Sequence, residues 1–216
     1  RHWPDRPHVT AGLDREAGGS WLGMNDDRLV AGVLNRQGSL GPQAGKRSRG
    51  ELPLDTLDHA EAREAAEALS HLDGSAYRSF NLIVADAADA YWIAGDGERG
   101  VVRVEPLPEG VSVITAHDLN DPASPRITRY RPLFQAADVP DPAKGAEGWS
   151  AWVDLVSDYK DRQPGEERDS MAFSTDFGFE TVSSSLIALP RPHQPEMKPQ
   201  WLFCAGRPRP GGFQAI

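Results

Sequence analysis

Ser20-Trp21-Leu22-Gly23-Met24, Asn25-Asp26-Asp27-Arg28 and Leu29-Val30-Ala31-Gly32-Val33-Leu34 together form the stretch that decides the fold. Two short apolar runs flank four residues of turn chemistry, since Asn and Asp tolerate left-handed dihedrals and bond their own backbone. The segment therefore predicts a β-hairpin with strands over 20–24 and 29–34. Upstream, residues 1–19 are punctuated by Trp3-Pro4-Asp5-Arg6-Pro7 and Gly18-Gly19 and read as loop. Downstream, residues 36–53 form a loop rich in Gly, Ser and Pro. Loops of that length without structure of their own are uncommon and often functional.

Working outward, Asp58-His59-Ala60-Glu61 supplies a capping signal, and the Ala-, Glu- and Leu-rich run from Ala60 to Leu69 reads as helix. Phe80–Ala85, Ala90–Ala94, Gly100–Glu105 and Val111–Thr115 read as four successive strands of an antiparallel meander. The spacing of Ile127, Tyr130, Leu133 and Phe134 predicts a helix over about 124–137, with Pro132 as a potential break. Trp149, Trp152, Val153, Leu155 and Val156 predict another over about 146–159, in which the two tryptophans serve as helix core. Thr181–Leu189 and Trp201–Ala205 read as closing strands. The order of elements gives an α+β class with helices covering antiparallel sheet, and no repeat or composition break divides residues 1–216 into separate domains.

Composition narrows the function. The chain has 216 residues, 39% of them hydrophobic, enough for a sizeable core. Its longest apolar runs, such as Leu82-Ile83-Val84-Ala85, fall far short of the ~18–20 residues of a membrane-spanning helix. Lys and Arg number 23 against 32 Asp and Glu, a net charge of −9, which disfavours nucleic acid as partner. The single cysteine, Cys204, forms no intrachain disulfide and suits a reducing, cytoplasmic compartment. Flanked by Trp201-Leu202-Phe203 and Ala205, it reads as core filler. The sequence contains no Gly-x-Gly-x-x-Gly, Walker loop, His-Glu-x-x-His or nucleophile elbow, and its six histidines lack metal-ligand spacing. Neither a metal nor a resident cofactor is expected.

Three short motifs stand in order: Gly18-Gly19-Ser20-Trp21-Leu22-Gly23-Met24-Asn25, Leu34-Asn35-Arg36 and Ser48-Arg49-Gly50-Glu51-Leu52. Together they resemble the NRDE family, also called the transport and Golgi organisation 2 family. The resemblance continues more loosely through Tyr77-Arg78-Ser79-Phe80-Asn81-Leu82 and Thr181-Val182-Ser183-Ser184-Ser185. It implies a fold similar to the N-terminal nucleophile hydrolases, a four-layer αββα sandwich around two antiparallel sheets. Family members begin Met-Cys-Thr and carry an Asn-Arg-Asp-Glu motif. This chain begins at Arg1 without either, so the expectation is an N-terminally truncated member, inactive as an amidase.

The resemblance also implies chemistry. In related bile-salt and penicillin-V acylases a strand-end Asn helps form the oxyanion hole, which points here to Asn35 as the catalytic candidate. Side-chain amide donors aimed at a developing oxyanion are worth ~3–4 kcal/mol each. An Asn at a strand end equally caps a turn. Relatives typically show Ser-Asn-His where this chain has Thr115-Ala116-His117, so Ala116 brings no amide donor. The motifs place Asn25, Arg36, Arg47, Ser48 and Arg49 as ligand-binding candidates. The loop arginines suit a bidentate clamp on a carboxylate, phosphate or propionate, or stand as solvated loop charges. Two functions follow from the resemblance: an amide or acyl hydrolase, or a non-catalytic carrier of haem, lipid or acyl-CoA.

Overall fold

Each strand of the expected hairpin pairs on both of its edges. The computed structural model describes residues 1–161, 170–175, 178–194 and 196–216. Val9–Ala11 forms β1, Leu22–Asn25 β2 and Val30–Asn35 β3, with β2 antiparallel to both neighbours. The turn closes by backbone bonds from Asn25 N–H to Leu29 O and from Arg28 N–H to Asn25 O, with Arg28 at a left-handed φ of 71°. β1 lies inside the stretch read as loop. Three residues carry too little periodicity to announce a strand, and the β2 edge supplies what the sequence does not.

β4 (Phe80–Ala85), β5 (Ala90–Gly95) and β6 (Val102–Pro106) complete a six-stranded antiparallel sheet in chain order. The expected fourth run, Val111–Thr115, forms no strand. Its backbone is committed elsewhere: Val113 N–H donates to Asn120 Oδ1, Val113 O accepts from Asn120 N–H, and Val111 O accepts from Arg131 Nε.

In the register Val33↔Leu82 and Asn35↔Phe80, these residues share one face with Val84. Against that face pack α1 (Glu51–Thr56) and α2 (Ala62–Ser70) through Leu52, Leu57, Ala65 and Leu69. Phe80, Leu82 and Val84 are fully buried, each contributing about 1.5–3 kcal/mol. α1 begins inside the expected loop, with Pro53 in its first turn, where a missing N–H costs nothing. α2 starts two residues later than the capping signal suggested. Glu61 makes no side-chain cap; instead Asp86, in the β4–β5 turn, accepts Ala62 N–H at 2.8 Å. Burial alone would raise the Asp86 carboxyl, but backbone N–H groups of Ala62, Asp89 and Ala88 hold it below the usual range.

These elements form one compact unit, residues 1–109, 114–119 and 191–193; the second comprises 110–113, 120–190 and 194–216. In the second, α3 (Pro125–Ala136) is capped by Ser124 Oγ on Ile127 N–H and runs straight through Pro132. α4 (Ser150–Val156) is shorter than its pattern because the residues before it, Pro142–Trp149, are 3₁₀-helical, with a left-handed Gly145. β7 (Tyr159–Asp161) and β8 (Ala172–Ser174) pair in parallel. β9 (Ser183–Ala188), β10 (Gln200–Ala205) and β11 (Gln214–Ala215) form an antiparallel sheet. Trp149, Val153 and Leu186 form its small core, flanked by Trp152. Helices with antiparallel sheets give the mixed α+β class expected.

Candidate anion-binding site

Two of the motifs meet because neither has a side chain at the meeting point. A Cβ on Gly19 would lie 2.5 Å from the carbonyl carbon of Gly50, so only glycine permits this approach. Ser20 N–H donates to Gly50 O at 2.9 Å and locks it. The backbone at Arg49 is thereby fixed beside the hairpin, immediately before α1.

Beyond Asn35 the chain turns through Gly38, at φ 74°, into the long loop. Buried Ser39 ties that loop to the start of β4: its hydroxyl oxygen lies 2.7 Å from Arg36 O and 3.0 Å from Ser79 O, both within reach of its single proton. Arg49 Nη1 donates to Ser39 O at 2.7 Å, Ser39 Oγ at 2.9 Å and Ser79 O at 3.0 Å. One corner of the guanidinium is thus held by three oxygens. Its Nε and Nη2, the edge that grips carboxylates and phosphates in pairs, have no partner among the described residues and are not sealed from solvent. Arg49 forms no ion pair there either, and burial, then the neighbouring Arg78, lowers its pKa below the ordinary guanidinium value.

Arg78 folds the loop around itself. Its Nη1 donates to Leu40 O and Gly41 O, and its Nη2 to Gly38 O at 3.0 Å. Lys46 Nζ, in the same loop, donates to Ser75 O and, at 2.9 Å, to Gly97 O. Three cations therefore sit at this end of the sheet on main-chain carbonyls rather than on carboxylates.

The other candidates are placed differently. Asn35 is exposed at the end of β3, and its carboxamide makes no hydrogen bond among the described residues. Asn25 is buried and fully engaged: its Nδ2 donates to Leu57 O at 3.0 Å and His59 O at 2.7 Å, and its Oδ1 accepts Leu29 N–H at 2.9 Å. It clips the hairpin to the end of α1. Arg36 donates to Asn81 Oδ1 at 2.6 Å and pairs with Asp118. Arg47 bonds Glu51 Oε2 at 2.8 Å and lies 5.0 Å from the centre of the Tyr77 ring. Ser48 Oγ accepts Gly50 N–H at 3.2 Å, a local turn. Arg49 is brought together with Ser39 and Arg78, which sequence reasoning did not single out as site residues; Arg78 lay within a quoted motif, whereas Ser39 had no signal beyond its loop.

A second network stands on the same sheet. Asn81, fully buried, accepts from Arg36 and from Trp92 Nε1 at 3.1 Å and donates to Thr115 O and His117 O, both at 2.8 Å. Asp118 is bridged by Arg36 and Arg103, the latter 4.5 Å from the centre of the Trp92 ring. Burial would raise the Asp118 carboxyl, but bonds from Arg103 and Arg36 hold it below the usual range. Cys204 is buried, its thiol 3.8 Å from Ala205 O and Arg207 O. No group of three or more metal-capable side chains occurs among the described residues.

Fold and site together define an α+β protein with a six-stranded antiparallel sheet, helices on one of its faces and a cation-rich loop at one of its ends. The profile of the Transport and Golgi organisation 2 (TANGO2) family matches residues 1–183, and the chain belongs to that family. A search among curated proteins found no match. Among the described residues no helix is long and apolar enough to cross a membrane.

Proposed function

We propose that this chain binds a small molecule with an anionic head and an apolar body, of the fatty-acyl, lipid or haem type, and acts as its carrier in a reducing, cytoplasmic setting. The unused Nε–Nη2 edge of Arg49 carries this reading. A half-buried guanidinium anchored at one corner by three oxygens, with no acidic partner among the described residues, is a cation prepared for an external anion. The apolar body is taken from the family resemblance.

Titration of oleate, oleoyl-CoA and haemin, with oleyl alcohol as the uncharged control, tests it. A hydrogen bond to a charged group is worth about 1.5–3 kcal/mol, so Arg49→Gln weakens the anions about 10- to 150-fold and leaves the alcohol unchanged. Equal affinity for oleate and oleyl alcohol, or an unchanged Arg49→Gln, overturns the proposal.

Asn35 favours a second reading, an amide or acyl hydrolase. Its carboxamide keeps both N–H donors uncommitted among the described residues, which leaves them available to an oxyanion. Turnover of acyl-amide and acyl-ester libraries by a form extended to carry the family's N-terminal Cys, falling about 100-fold in Asn35→Ala, supports it, and identical rates remove it.

A further inference from the structure

We infer that Arg49 and Arg78 form a single two-cation site whose preferred head group is a phosphate dianion rather than a carboxylate. This deepens the carrier reading above and rests on it. Three consecutive residues of the loop present their carbonyls to the two side chains in alternation. Gly38 O and Leu40 O accept from Arg78, while Ser39 O, between them, accepts from Arg49. Successive residues lie only ~3.8 Å apart, so the loop sets the two guanidinium groups side by side. The same Nη1 of Arg49 also donates to Ser79 O, the carbonyl one residue beyond Arg78, which ties it to the backbone from which Arg78 projects.

Neither cation is neutralised. Among the acids of this unit, Glu51 is committed to Arg47 and Asp118 to Arg36 and Arg103. Neither Arg49 nor Arg78 has an acidic partner among the described residues. Lys46, on Ser75 O and Gly97 O in the same loop, faces the Asp73 carboxylate and is not counted with the two arginines. Like charges held together by neutral carbonyls raise the local potential without satisfying it, and a doubly charged ligand relieves this more than a singly charged one. Arg78 retains an unpartnered Nε beside its loop bonds. A tetrahedral phosphate can therefore accept from the open edge of Arg49 and from Arg78 Nε without dismantling the loop.

The test compares hexyl phosphate, hexyl sulfate and hexanoate binding to the full chain at pH 8 by calorimetry. Phosphate and sulfate share a shape and differ by a charge. The expected result is hexyl phosphate at least about tenfold tighter than the other two. Arg78→Gln brings phosphate to the sulfate level while leaving sulfate within about threefold. Arg78→Lys keeps the cation and retains the preference, and Arg49→Gln weakens all three ligands. Because Arg78 also holds the loop, a variant that fails to fold leaves the wild-type phosphate-to-sulfate ratio and Arg78→Lys to decide. Phosphate and sulfate binding within twofold in the wild type overturns the two-cation site, and with Arg49→Gln still weakening both, the carrier reading survives. Loss of all three ligands by the same factor in Arg78→Gln also overturns it, reducing Arg78 to a loop support. No binding of any of the three overturns both readings.

Discussion

Replacing Asn81 probes the polar centre of the six-stranded sheet. The side chain has no exposed surface and uses both ends of its amide, accepting from Arg36 and Trp92 and donating to Thr115 O and His117 O. Asn81→Ala strands the indole N–H of Trp92, a residue 2% exposed, and removes the two bonds that Asn81 donates to Thr115 O and His117 O. A buried group left without its partner costs about 1–3 kcal/mol, and the lost volume adds to this, so the expected destabilisation is about 3–5 kcal/mol. Set against a usual total of about 5–15 kcal/mol, that is a large share. Urea unfolding at matched slope measures it. Asn81→Asp sharpens the test, because it keeps the acceptor for Arg36 and gains an ion pair but turns carboxylate oxygen toward two carbonyls. It is expected to lose at least about 2 kcal/mol despite the added attraction. An Asn81→Asp protein within about 1 kcal/mol of wild type would refute the reasoning, since the two donated bonds would then be worth little.

Two further outcomes follow from the same sheet. The Asp118 carboxyl is held lower in the folded protein than in the unfolded chain, so its contribution is complete above the ordinary carboxylate range and is lost as pH falls through the folded value. Urea midpoints should therefore drop below about pH 4, and Asp118→Asn should flatten that acid limb; an identical acid limb in the variant would show that Asp118 does not contribute. Gly95→Ala places a Cβ 2.4 Å from the ring of Phe80, which is fully buried, so the variant should lose about 1–3 kcal/mol by thermal or urea unfolding, and neutral behaviour would mean the ring yields freely.

What could be read in the sequence follows from how far each signal reaches. β3, β4 and β5 stand nearly where their apolar runs put them, because each run is long enough to show its face and is closed by turn residues. Residues 111–115 carry the same apolar character, yet Asn120 and Arg131 take their backbone groups, and nothing local announces that. α1 was hidden by Pro53 and by its place after a glycine-rich run, and β7 and β8 by their shortness. At the site, the Arg47–Glu51 pair joins opposite charges four residues apart and was open to sequence reasoning. The fate of Arg36 was not, since Asp118 lies 82 residues away and Asn81 lies 45. Arg49 stood out as a cation in a loop rich in glycine. That its outer edge lacks an acceptor among the described residues is a property of folded neighbours such as Ser39 and Ser79.

The tertiary cap on α2 sets an order of events during synthesis. Asp86 follows Ala62 by 24 residues, so at ~5–20 residues per second the first helical residue is made about 1–5 s before its cap. A helix of nine residues is marginal by itself. The nascent segment therefore flickers until the β4–β5 turn arrives, and the hairpin that comes later in the chain is what starts the helix that comes earlier.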